Sequence, residues 1–336
     1  MFLTILLFCI GLVLLIKGGD WFVDGATGCA KRFHIPELLI GATVVSIGTT
    51  LPEVMVSATS ALSGHGEIAY GNAIGSVICN TSLIAALTVA IRPSQVEKNA
   101  LKIPTLFFFI SALFYSVIAY TTGYFARWVG IVLLLIFVVY MVLTVRQATK
   151  MPKLELTEEE KEAENNPLWK DLLLLVVGAA LIAVGANLLV DNGTKIAQAL
   201  GVPEAVIGLT LVALGTSLPE LVTAITSLVK GHSALSLGNI IGANLFNLVL
   251  VSGLATTLKP FTIPEDSVIM GHNTSLLIDL PLMFIVMAIL TLPTLKEGKL
   301  KRWQGVILLL LYLCFCVLQF SIWGLIVRCQ LRLRLF

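Results

Sequence analysis

The chain has 336 residues, of which 57% are hydrophobic and only 12% charged, and it carries a formal net charge of +2. With a mean hydropathy of +0.95 it is not a soluble globular protein, because apolar runs of this length belong in lipid. The small net charge speaks against a nucleic-acid partner, and the six scattered cysteines (Cys9, Cys29, Cys79, Cys314, Cys316, Cys329) read as packing residues, not as a disulfide framework or a metal site.

A membrane-spanning helix needs about 20 mostly apolar residues. Ten runs qualify: 2–26, 36–62, 68–91, 103–121 and 128–145 in the first half, then 169–189, 203–229, 235–258, 275–292 and 303–327 in the second. The expected fold is therefore an all-α membrane protein with ten transmembrane helices. The first run is not a signal peptide, since Lys17 follows the apolar stretch and no basic segment precedes it. It also has a partner 167 residues on: Val23-Asp24 matches Val190-Asp191, and Gly18 matches Gly185. A half at 1–147 and a half at 169–336 are joined by a short polar linker at 148–168. The linker's acidic run at 157–164 reads as solvated and cytoplasmic.

Lys and Arg set the orientation. With the N-terminus outside, the inward connections carry 15 of them and the outward side 6, so both termini are expected outside. Five spans per half is an odd number, so the second half enters the membrane the opposite way. Related halves of opposite orientation mark an inverted-repeat transporter.

The relation between the halves is strongest at 41–80 and 208–247, which align without a gap and share 17 of 40 residues. Each copy holds Gly-Thr-x-Leu-Pro-Glu, at Gly48–Glu53 and Gly215–Glu220. A charge at membrane depth costs about 2.5–3.5 kcal/mol even on a lenient scale, so Glu53 and Glu220 are functional candidates. Pro52 and Pro219 lack an N–H and are expected to break or kink their helices, freeing carbonyls that are tolerated only in protein or beside a wet cavity. The hydroxyls of Thr49, Thr50, Thr216 and Ser217 add oxygen, and hard cations take six to eight oxygens at about 2.3–2.6 Å. A second motif, Gly71-Asn-Ala-Ile-Gly and Gly238-Asn-Ile-Ile-Gly, places Asn72, Ser76 and Asn80 on one face, and Asn239, Ala243 and Asn247 on the other copy's face. Its glycines at four-residue spacing suit close helix packing.

These paired motifs resemble the α-repeats of the Ca²⁺/cation antiporter superfamily, and within it the prokaryotic sodium/calcium exchanger (YrbG-type) branch. The resemblance covers nearly the whole chain. It implies that Glu53 and Glu220 coordinate Ca²⁺ and share the Na⁺ ions, with Thr49, Thr50, Thr216 and Ser217 as hydroxyl ligands. It further implies Ser46 and Ala213 as carbonyl ligands and Ser76, Asn80 and Asn247 as polar ligands of the outer Na⁺ positions. Ala243 stands where a serine ligand is common. Asn247 replaces an acid found in some members, which argues against K⁺ coupling. The proton-coupled branch carries a Glu where this chain has Gly75 and Gly242. The first and sixth helices, which carry Asp24 and Asp191, resemble the pair that slides across the core in this family, and the two Asp themselves read first as helix-end or interfacial residues.

The implied function is secondary antiport of Ca²⁺ against Na⁺ by alternating access at a mid-membrane site, in a plasma (inner) membrane, with no cofactor. Nothing in the sequence demands more than a monomer. A Ca²⁺/H⁺ antiporter on the same scaffold is the alternative, and a passive cation channel is the alternative of another class. No enzyme motif such as H-E-x-x-H or G-x-S-x-G is present. His65 and His232 align between the copies and read as loop residues, and the Asn-x-Ser/Thr sequences at Asn80, Asn192 and Asn273 read as chance.

Overall fold

A computed structural model describes residues 1–150, 167–200, 215–264, 268–269 and 272–333. The protein is nearly all helical. In chain order the helices are α1 (Phe2–Arg32), α2 (Glu37–Leu62), α3 (Gly66–Ile91), α4 (Lys98–Thr121), α5 (Arg127–Lys150), α6 (Leu168–Ala199), α7 (Leu218–Val229), α8 (Ser233–Leu258), α9 (Ser275–Glu297) and α10 (Arg302–Leu333). Nine of these are long and apolar enough to cross a membrane among the described residues. The run expected at 203–229 lies partly outside those residues, and α7 is its described part. Most helices outrun their apolar stretches by a polar turn, so Lys31 and Arg32 end α1 instead of forming a loop. Helix α5 continues to Lys150, and of the linker expected at 148–168 residues 151–166 lie outside the described ones.

Side chains such as Phe2, Leu113, Leu135 and Val176 are exposed around the bundle. In lipid this belt costs nothing, since the tails are as apolar as the side chains. The interior divides in two. One hydrophobic cluster runs through α2–α5 and α7–α10. A second, smaller one is built mostly on α1 and α6, around Leu15, Phe22, Val23, Ile182 and Ala186.

The seam between α1 and α6 is made by glycine. A Cβ on Gly11 would lie 2.9 Å from the Gly185 carbonyl oxygen, one on Gly18 2.9 Å from that of Gly178, and one on Gly25 2.6 Å from that of Asp171. Partner numbers fall along α6 as they rise along α1, so the two helices run antiparallel. The same device joins α2 to α8, where a Cβ on Gly242 would meet Ser46 Oγ at 2.2 Å and the Ala42 backbone.

The connections sort to two ends. At one, Val96 N–H donates to Gly298 O (2.9 Å), Leu300 N–H to Ser94 O (2.8 Å), Arg92 to Leu228 O (3.2 Å), and Arg32 meets Asp171 (3.4 Å). At the other, β1 (Tyr124–Phe125) pairs antiparallel with β2 (Phe261–Thr262), and Ile263 N–H donates to Gly123 O. The connections expected to face inward meet only at the first end, hereafter the basic end.

The repeats share local geometry. His65 and His232 lie in the short turns expected for them, at the position just before a helix, and each follows a glycine at φ +88° or +87°. Each donates its N–H to a serine carbonyl five residues back, Ser60 or Ser227. Both copies also widen into a π-helical turn at their last asparagine, Asn80–Ala85 and Asn247–Val251.

Candidate cation site

Pro52 does not break its helix. It lies inside a continuous helical segment, Ser46–Leu62, preceded by a π-helical turn at Gly41–Val45. The missing N–H leaves the Gly48 carbonyl without a backbone donor. In the second copy the chain does break: Thr216 and Ser217 form a turn, and Pro219 occupies the first turn of α7. Proline is harmless there because that turn's N–H groups have no intrahelical partner. The same motif is thus an interrupted hydrogen-bond ladder in one copy and a helix start in the other.

Glu53 and Glu220 are both fully buried and lie within electrostatic reach of one another. None of their four carboxylate oxygens has a hydrogen-bond partner, and no Lys or Arg pairs with either among the described residues. Thr50 Oγ1, Ser217 Oγ and both side-chain polar atoms of Asn80 and of Asn247 are likewise buried and unpartnered. Such orphans cost about 1–3 kcal/mol each, more when charged, so their concentration on one repeated motif marks them as meeting something other than protein. No cluster of three His, Cys, Asp or Glu is found among the described residues, and the donor set is mixed oxygen. That chemistry suits Na⁺ and Ca²⁺ and not a thiolate or imidazole metal.

Thr49 lies beside Glu220, and its hydroxyl donates to Asn239 Oδ1 at 3.1 Å. Ser46 is buried and bridges α2 to α8, donating from Oγ to Gly41 O (2.7 Å) and reaching Asn239 O (2.9 Å). Ser76 is buried. Thr216 borders a cavity of about 840 Å³ between α2 and α6, which also reaches Pro52 and Pro219. Ala213 lies outside the described residues. Sequence reasoning placed Asn72 and Asn239 on the right faces yet left both out of the site. Asn72 Nδ2 donates to Glu53 O (3.2 Å) and Ser57 Oγ (2.8 Å), fixing the Glu53 backbone from a neighbouring helix. Asn244, which replaces Val77 of the first copy, donates to Thr81 Oγ1 (2.7 Å) and Met287 Sδ (3.2 Å).

Comparison with known proteins gives the family of the chain. The family model described as "Sodium/calcium exchanger protein" matches residues 3–146 and 170–321. The chain is 31% identical to the sodium/calcium exchanger MaX1 of Methanosarcina acetivorans, over 94% of this chain and 98% of that protein. It is 36% identical to the inner membrane protein YrbG of Escherichia coli, over 83% and 87%. Among solved structures, the sodium-calcium exchanger NCX_Mj soaked with Na⁺ and Sr²⁺ superposes with a TM-score of 0.79 at 35% identity, covering 93% of this chain and 97% of that one.

Proposed function

The chain belongs to the sodium/calcium exchanger family, and from that premise we propose that it is a secondary antiporter exchanging Ca²⁺ for Na⁺ by alternating access. The observation that carries this reading is the pair of buried glutamates, Glu53 and Glu220, without hydrogen-bond partners among the described residues, on repeated motifs that also carry buried, unpartnered hydroxyls and amides. Two carboxylates balance one Ca²⁺. Loaded, the site is neutral enough to be enclosed; empty, a buried dianion is costly. That difference penalises movement of the unloaded carrier and so couples the two fluxes.

In this reading Thr49, Thr50, Thr216 and Ser217 supply hydroxyl oxygens, Ser46 and Ala213 carbonyls, and Ser76, Asn80 and Asn247 the outer polar ligands. The halves 1–147 and 169–336, each of five spans, are inverted repeats joined at 148–168, which the antiparallel pairing of α1 with α6 supports. The basic end faces the cytoplasm of a plasma membrane, and both termini face out. The proton-coupled alternative is less favoured on a specific ground. Both positions that carry a glutamate in the Ca²⁺/H⁺ branch are glycine here; at Gly242 a Cβ would already meet Ser46 Oγ at 2.2 Å, while Gly75 has open space around it.

The test is ⁴⁵Ca²⁺ uptake into Na⁺-loaded proteoliposomes, with and without an outward Na⁺ gradient. Uptake that saturates, needs the gradient and disappears in Glu53→Gln and Glu220→Gln is expected. Uptake driven by a pH gradient and indifferent to Na⁺ would transfer the protein to the proton-coupled reading. Uptake needing no counter-ion would make it a channel.

A further inference from the structure

We propose that Lys230 is a positioning residue: it latches the α1–α6 pair to α7 at the basic end and so biases the protein toward the state that opens at the opposite end. The proposal rests on the alternating-access reading and adds which residue sets the resting state.

Lys230 follows the last residue of α7, the helix that carries Glu220. Its Nζ meets Asp24 Oδ1 at 2.7 Å, donates to Asp20 O at 3.0 Å and lies 3.6 Å from Asp20 Oδ1. One turn deeper, Gly19 admits α7 so closely that a Cβ there would lie 2.7 Å from Val222 Cγ1 and 2.8 Å from Thr226 Oγ1. An apolar seam and a triple polar contact therefore hold α1 on α7. Most of the second cluster lies on α1 and α6, and Ile40, Val45 and Leu235 are its contacts with α2 and α8. In this proposal the pair moves as one body against the rest, joined to itself by the glycine seam.

The repeat relation exposes an asymmetry. At the 167-residue offset, Gly19 corresponds to Ala186, Asp20 to Asn187, Asp24 to Asp191, Val222 to Met55 and Lys230 to Ser63. If the molecule were symmetric, α6 would sit on α2 as α1 sits on α7. Instead Ala186, Asn187, Asp191 and Met55 all line the 840 Å³ cavity, which extends to Pro52, Pro219 and Thr216 beside the two glutamates and continues along α6 as far as Leu172 and along α2 as far as Val44. One interface is closed and its counterpart open. Exchanging the two arrangements would close the cavity, open the basic end and break all three Lys230 contacts. Ser63 cannot make an equivalent ion pair with Asp191, so the opposite state has no matching latch. The sequence difference is thus a built-in bias between states that the backbone symmetry would otherwise make alike.

The Lys230 and Asp24 side chains are partly exposed, so the bias is modest, roughly two- to five-fold in the ratio of states. The test uses the full chain in lipid nanodiscs, with a genetically encoded spin-labelled amino acid at the exposed positions 62, at the far end of α2, and 200, just past the far end of α6. Pulsed dipolar spectroscopy reads the distance between them. The wild type should show mainly the long distance. Lys230→Met, which keeps the apolar stem, should enrich a shorter one two- to five-fold. Lys230→Arg should restore the long one. A distance distribution that Lys230→Met leaves unchanged, or that Lys230→Arg shifts as far as Lys230→Met does in folded, monodisperse protein, overturns the latch. No transported ion is needed for the readout, so it can fail while the ⁴⁵Ca²⁺ exchange assay succeeds, and the reverse.

Discussion

Replacing Glu53 with Gln separates a ligand from a structural carboxylate, because the two roles predict opposite signs for stability. The side chain is fully buried and neither oxygen is hydrogen-bonded, so the isosteric amide gives up no bond to protein. It also removes one of two like charges within reach of each other. In Na⁺- and Ca²⁺-free buffer the unfolding midpoint is expected to hold or rise. Ca²⁺ binding should collapse. Deleting one partner of a buried charge pair costs about 3–5 kcal/mol, which is roughly two to three-and-a-half decades of affinity. The assay is thermal unfolding in detergent across a Ca²⁺ titration. At 100 times its Kd a ligand adds about 2.7 kcal/mol, so the wild-type midpoint climbs where that of Glu53→Gln stays flat. The reasoning is refuted if the variant unfolds earlier without ions, or if its Ca²⁺ dependence stays within tenfold of wild type.

Three further outcomes are expected. Gly18→Val should push α1 off α6, costing about 1–3 kcal/mol by overpacking, read as a lower midpoint and reduced exchange, since its Cβ already meets the Gly178 carbonyl at 2.9 Å. Asn72→Leu removes the donor to Glu53 O and leaves Ser57 Oγ without it; a loss of about 1–3 kcal/mol and a raised KM for Ca²⁺ are expected in flux assays. Tyr140→Phe deletes the 2.8 Å bond from its hydroxyl to Ala42 O in the π-helical turn of α2, and should cost about 1 kcal/mol in urea or thermal unfolding with little change in ion selectivity.

The spans, the doubled motif and the two glutamates were legible because each is written in composition or repetition. An apolar run must lie in lipid whatever its neighbours, and a lone carboxylate inside one stands out. What stayed hidden depends on how one copy packs on the other. Pro52 and Pro219 share a motif, but one sits mid-helix behind a π-helical turn and the other at a helix start. Asn72 grips the Glu53 carbonyl, whereas its twin Asn239 accepts from Thr49. Asp24 and Asp191 look equivalent in the chain, yet Asp24 pairs with Lys230 and Asp191 lines the cavity. Sequence identity between repeats fixes the residue type, while the partner is chosen by tertiary contact. The π-helical turns at Asn80 and Asn247 leave no mark in hydrophobic periodicity, since all their side chains are buried except the half-buried Leu83 and Leu250.

The glycine seam of α1 and α6 also constrains how such a molecule can be assembled. During synthesis α1 reaches the bilayer with Gly11, Gly18 and Gly25 uncovered, and its partner surface is not made until α6. A second copy of α1 inserted the same way up cannot stand in, because the seam requires an antiparallel partner. A free half-molecule could close it only against a twin inserted upside down. Carrying both halves on one chain makes the opposing helix available at every synthesis, at equal stoichiometry and in the one orientation the seam accepts.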